Sequence, residues 1–108
     1  MSFDAFDASL EMIRAIRSPI ASIRSSDANL ATQIKKAASS VPLNLAEGRR
    51  RAGRDRKHHW RIAAGSADEV VAALRIAEAW GYVEASKIES SLVVLDRILA
   101  MTWKLTRN

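Results

Sequence analysis

No cysteine occurs in the 108-residue sequence, which excludes a disulfide framework and a thiolate metal site and leaves a reducing, cytoplasmic setting as the expectation. Long apolar runs are missing as well. The opening stretch MSFDAFDASLEM carries two aspartates before any cation, so neither a secretory signal nor a membrane span is expected. Prolines number two and glycines four, and β-branched residues rarely alternate, so no segment competes as a strand. There is no internal repeat, low-complexity tract or linker, and the length suits one domain over residues 1–108 with one modest core.

What is present is helical periodicity. Phe3, Phe6, Leu10, Ile13, Ile16, Ile20 and Ile23 recur every three or four residues, the stripe of a helix with one buried face. Pro19 lies in that stripe and predicts a kink or two shorter helices in line. Ser25, Ser26 and Asp27 offer a turn and an N-cap. Leu30, Ile34, Ala38, Val41 and Leu45 then mark a second helix, bent near Pro42 and ending at about Gly48. Gly53 breaks the chain, and Asp55 is the expected cap of a third helix with Trp60, Ala63, Ala67, Val70, Leu74 and Ala77 on its inner face, closed by Gly81. Within it, the small residues 63–67 would admit a close neighbour. Gly65 disfavours helix by about 1 kcal/mol relative to Ala, which points to a packing reason. Ser86-Lys87-Ile88-Glu89 has the form of a capping box, and Ile88, Leu92, Leu95, Leu99 and Thr102 give the fourth stripe. Four such helices with short connections predict an all-α fold, an antiparallel up-down-up-down four-helix bundle. Trp60, Trp80 and Trp103 are expected as core or helix-end anchors rather than exposed stacking platforms.

Charge is unevenly placed. Of 17 Lys and Arg against 12 Asp and Glu, residues 49–61 hold Arg49, Arg50, Arg51, Arg54, Arg56, Lys57 and Arg61 against Asp55 alone, a net of +6, while the remainder is near neutral. Arg49, Arg50 and Arg51 suit the negative end of the second helix dipole. Arg56 and Lys57 fall in the first turn of the third helix, where the dipole disfavours cations. A polyanion explains the crowd better than local stability does, because each phosphate contact releases counterions. A solvated basic turn is the plainer alternative.

Other chemistry is thin. His58 and His59 are adjacent, so on a helix they point about 100° apart and do not share a metal. They extend the basic surface when protonated. Asn44 and Glu47 share a face beside Pro42 and are expected to satisfy backbone groups freed there. No base, nucleophile or phosphate-cradling glycine motif accompanies them, and Ser39 and Ser40 have no recognisable histidine partner. Neither an enzymatic activity nor a cofactor is expected.

The stretch SVPLNLAEGRRR, followed by a basic loop and WRIAAGSADEVVAALRIAEAWGYV, resembles the small bacterial four-helix-bundle proteins of intervening sequences in large-subunit ribosomal RNA genes, and is similar to the accessory variability protein of diversity-generating retroelements. Ser40, Val41, Pro42, Asn44, Leu45, Ala46, Glu47 and Gly48 match the family's S-I-P-x-N-I-A-E-G with conservative changes. Arg61, Ile62, Ala63, Ala64, Gly65, Ser66 and Glu69 match R-I-A-x-G-S-x-x-E, and Gly81-Tyr82 the closing turn. Pro19 and the opening of the first helix depart from the pattern. The resemblance implies structural roles for Pro42, Asn44, Glu47, Gly48 and Gly65, and assembly as a ring, most often a homopentamer with a partly basic channel. Retroelement members bind nucleic acid and a reverse transcriptase, which implies comparable partners.

The leading expectation is therefore a non-enzymatic, ring-forming protein that contacts RNA or DNA independently of sequence through Arg49, Arg50, Arg51, Arg54, Arg56, Lys57 and Arg61. The alternative is a homo-oligomeric scaffold whose basic segment meets an acidic protein.

Overall fold

Strong helix formers fill every stretch between the connections, and the computed structural model, which describes residues 3–107, contains four α-helices: α1 (Asp4–Ser26), α2 (Ala28–Arg49), α3 (Gly53–Ala79) and α4 (Ala85–Thr106). Among the described residues there is no strand. At 1.5 Å per residue α3 is about 40 Å long, close to the 42 Å long dimension of the molecule. The helices therefore lie along that axis. Asp27, residues 50–52 and residues 80–84 are the only links between them, too short to recross the molecule, so successive helices run antiparallel. α1 packs on α2 and α4, and α3 packs on the same two neighbours, which is the up-down-up-down bundle.

Two connections follow their sequence signals. Asp27 ends α1 through its backbone N–H to the Ile23 carbonyl at 2.8 Å and starts α2 by accepting from the Leu30 N–H at 3.0 Å. Gly81, at φ +83°, lets the last turn of α3 close: its N–H donates to the Glu78 carbonyl and that of Tyr82 to the Ala77 carbonyl, both at 2.9 Å. The other two starts differ from expectation. Asp55 does not cap α3, which begins after Ala52 without a side-chain cap; its carboxylate sits in the first turn and pairs with Arg51. The capping box does not form either, because α4 already begins at Ala85, one residue ahead of Ser86, behind Glu84.

The core confirms α3 completely: Trp60, Ala63, Ala67, Val70, Leu74 and Ala77 are all buried. In α1 the buried face is rotated from the expected stripe. Ala5, Ala8, Ser9, Met12, Ile16, Pro19 and Ile23 are inside, whereas Phe3, Phe6, Ile13 and Ile20 pack on the edge of the core. Small side chains occupy the centre because the neighbouring helices approach there, and the larger ones seal the flanks. Neither proline divides its helix: α1 continues through Pro19 and α2 through Pro42, with both rings buried. Trp60 is core, but Trp80 and Trp103 are 70% and 60% exposed, which corrects their assignment as anchors. Gly65 is exposed, and a Cβ there would meet nothing within 4 Å. Packing inside the protomer does not explain it.

Gly48 is the opposite case. A Cβ at this position would stand 2.6 Å from Cδ1 and Nε1 of Trp60 and 3.1 Å from the Arg56 carbonyl oxygen, so the missing side chain is what lets the indole lie against α2. Gly48→Ala is expected to lower unfolding free energy by about 1–2 kcal/mol, as overpacking outweighs the gain in helix propensity. Urea denaturation followed by circular dichroism measures it; an unchanged midpoint would contradict the close approach.

Candidate nucleic-acid interface

The antiparallel order brings the end of α2, the start of α3, the start of α1 and the end of α4 to one pole of the bundle. All seven basic residues singled out in the sequence lie there, but they have different tasks. Trp60 anchors the pole: its buried indole donates from Nε1 to the Leu45 carbonyl at 3.2 Å, and Phe3 packs against its ring at 5.7 Å between centroids.

Arg56 is half-buried above that indole, 5.4 Å from the ring centroid. Its Nε donates to the Gly48 carbonyl and its Nη2 to the Arg49 carbonyl, each at 3.1 Å. These carbonyls belong to the last turn of α2, where helical partners run out. Local stability therefore does favour Arg56, although the helix dipole disfavours a cation in the first turn of α3. Arg51 is engaged as well, with Nε 3.0 Å from Glu47 and Nη1 2.8 Å from Asp55. The hydrogen bonds that Arg51 donates to Glu47 and Asp55, with the charges of those carboxylates, raise its pKa above the ordinary arginine value, but the group is exposed and such surface pairs stabilise weakly. Their main effect is to neutralise Arg51. Arg49 lies over the Phe3 ring at 5.5 Å, and Arg61 donates to the Thr106 carbonyl at 3.1 Å, joining α3 to the end of α4. Lys57 is half-buried. Arg50 and Arg54 are exposed and make no ion pair or side-chain hydrogen bond among the described residues.

The structure also adds what the local sequence pattern did not reach. Trp103, Lys104 and Arg107, far beyond the basic run in the sequence, lie at the same pole because α4 ends there, with the Arg107 guanidinium 4.8 Å from the Trp103 ring centroid. Their signal was an aromatic-basic ending on a helix that the up-down order returns to this pole.

Asn44 and Glu47 have separate roles. The donor removed by Pro42 would have served the Ala38 carbonyl, yet Asn44 does not turn to it. Its Nδ2 donates to the Ser40 carbonyl and hydroxyl, both at 3.0 Å, and its Oδ1 lies 3.2 Å from His59 Nδ1. Ser66 Oγ donates to Ser40 Oγ at 2.8 Å. Because the amide oxygen can only accept, His59 Nδ1 carries the proton. A chain from Ser66 through Ser40 and Asn44 to His59 thus stitches α3 to α2, while Glu47 belongs to the ion pair with Arg51. Among the described residues, no three His, Cys, Asp or Glu side chains converge in a way that could hold a metal ion, and no helix is long and apolar enough to cross a membrane.

The model of a family described as 23S rRNA-intervening sequence protein matches residues 2–104. Among solved structures, a protein of unknown function from the S23 ribosomal protein family of Bacteroides thetaiotaomicron VPI-5482 superposes with a TM-score of 0.84 at 19% identity, covering 96% of this chain and 99% of that one. At that identity the likeness establishes the fold. No curated protein matches the chain.

The division of labour among the cations is testable. Arg56→Ala is expected to reduce stability by about 1–2 kcal/mol through the loss of two charge-assisted bonds to α2 carbonyls, whereas Arg54→Ala should stay within about 0.5 kcal/mol. Parallel urea titrations compare the two; equal effects would remove the distinction.

Proposed function

The chain belongs to the 23S rRNA-intervening sequence protein family, and from that premise we propose that it is a non-enzymatic, cytoplasmic, ring-forming protein that binds nucleic acid through the pole carrying residues 49–61. One observation carries this reading: Arg50 and Arg54 stand exposed, without a partner among the described residues, at the edge of a pole whose other cations are already arranged around them. Holding like charges together is unfavourable unless a polyanion meets them, and phosphate contact by arginine releases counterions whatever the base sequence. Arg49, Lys57 and Arg61 flank the two and extend the phosphate track, and His58 adds to it when protonated. Arg51 and Arg56 chiefly shape the pole. We assign RNA or DNA as the ligand class, and a role as accessory to a nucleic-acid enzyme such as a reverse transcriptase, in keeping with the similarity to the retroelement accessory protein.

The ring has its own support. On the outer side of α2 and α3, Leu43 is 69% exposed and Ile62 is also exposed, flanking the chain of Ser40, Asn44, His59 and Ser66. Gly65 follows on the same side of α3 with nothing inside the protomer to explain it. A second copy packed there would bury the two apolar side chains and use the bare Cα of Gly65. Five copies would multiply the positive field of one pole.

Fluorescence anisotropy with labelled RNA and DNA over a salt series tests the binding. The logarithm of affinity should fall linearly with log salt, and Arg50→Glu with Arg54→Glu should weaken binding at least tenfold and flatten the slope by about one unit per cation, with helicity kept. Absence of binding at low salt, together with a protein partner retained from extract after nuclease treatment, would favour the acidic-protein scaffold instead. For assembly, Leu43→Glu is expected to shift the light-scattering mass towards the monomer. A mass unchanged by that substitution would place the ring contact elsewhere.

A further inference from the structure

The pole carries a second kind of surface that the phosphate contacts do not use. Trp103 is the largest side chain type in the protein, yet it is 60% exposed in the last turns of α4. Three cations share its end of α4. Arg107 covers one face of the indole at 4.8 Å, Lys104 follows it in sequence and is exposed, and Arg61 reaches from α3 to the carbonyl of Thr106, one turn further along the same side of α4. The nearest acids towards the middle of the bundle, Asp96 on α4 and Asp68 on α3, lie seven residues back from Trp103 and on from Arg61, about 10 Å along their helices. Asp4 shares the hollow beside Lys104 on the α1 side. The other two tryptophans do not resemble this one: Trp60 is buried with its indole N–H bonded, and Trp80 lies at the opposite pole beside Tyr82, with ring centroids 6.4 Å apart.

An exposed aromatic ring set among arginines is the arrangement that holds unpaired bases, because every base has a π-face and the flanking cations take the adjoining phosphates. A duplex keeps its bases stacked on one another and offers this ring nothing except at its ends. We propose that the pole is selective for single-stranded nucleic acid, with one unpaired base stacked on the open face of Trp103 and the adjoining phosphates on Arg61, Lys104 and Arg107. This deepens the nucleic-acid reading above and rests on it.

The test compares a labelled oligouridine strand with an RNA duplex of equal length at matched salt, using the full chain and its Trp103→Ala and Trp103→Phe variants. Trp103→Ala should weaken single-strand binding by roughly five- to a hundredfold, leave duplex binding unchanged and leave the salt slope of single-strand binding unchanged. Trp103→Phe should retain most of the affinity. Oligouridine should also quench tryptophan fluorescence of the parent protein, and Trp103→Phe should abolish that quenching. Single-strand binding unaffected by Trp103→Ala, or equal losses on single strand and duplex, would overturn the platform while the basic pole stood. If the parent protein bound neither probe at low salt, the nucleic-acid reading itself would fail and the platform with it.

Discussion

The pole depends on the contact between a bare Cα and an indole. Gly48 leaves room for Trp60 to lie against α2, and the indole N–H then reaches the Leu45 carbonyl. Once that ring is seated, Arg56 lies above it and reaches the Gly48 and Arg49 carbonyls, so the end of α2 and the start of α3 are held by the same few atoms. The three-residue link 50–52 can then be short and highly charged without folding back on itself. Phe3 closes the assembly from α1 by packing on Trp60 beneath Arg49.

This lock sorts a run of like charges into different tasks. Arginine is suited to the division because its planar fork serves carbonyls, carboxylates, aromatic faces and phosphates alike. Arg56 uses it on carbonyls, Arg51 on two carboxylates and Arg107 on an aromatic face, while Arg50 and Arg54 are exposed and make no ion pair among the described residues. The net charge of the segment already counts Asp55, and Glu47, which pairs with Arg51 from just outside it, lowers the local total by one. Lys104 and Arg107 add positive charge to the same pole from the end of α4.

Beside the apolar core that they share, α2 and α3 are also joined by polar contacts. Ser66, Ser40, Asn44 and His59 form one continuous chain, and each bond specifies the register of the two helices more sharply than interchangeable methyl groups would. Of the two family motifs, Ser40, Asn44 and Ser66 belong to this chain and Leu45 and Gly48 to the lock. Gly65 belongs to neither and faces outward, where a neighbouring subunit in the proposed ring would meet it.

Sequence alone determined the all-α class, the four helices, the antiparallel order and the inner face of α3, because period, glycine stops and short links are local signals that tertiary packing here reinforced. It also located the basic segment and, through motif resemblance, the family. Other features were settled only by the packed bundle. The buried face of α1 rotated towards Ala5, Ala8 and Ser9 because the closeness of neighbouring helices, not hydrophobicity alone, decides which side chains fit inside. Asp55 gave up its cap for Arg51 in the α2–α3 link, and Arg56 became a clamp on carbonyls at the end of α2, partners that no local pattern of α3 displays. Trp103 and Arg107 joined the pole from the far end of the chain. Charge is a property that a sequence displays openly, whereas which charges remain free depends on the distances that folding creates.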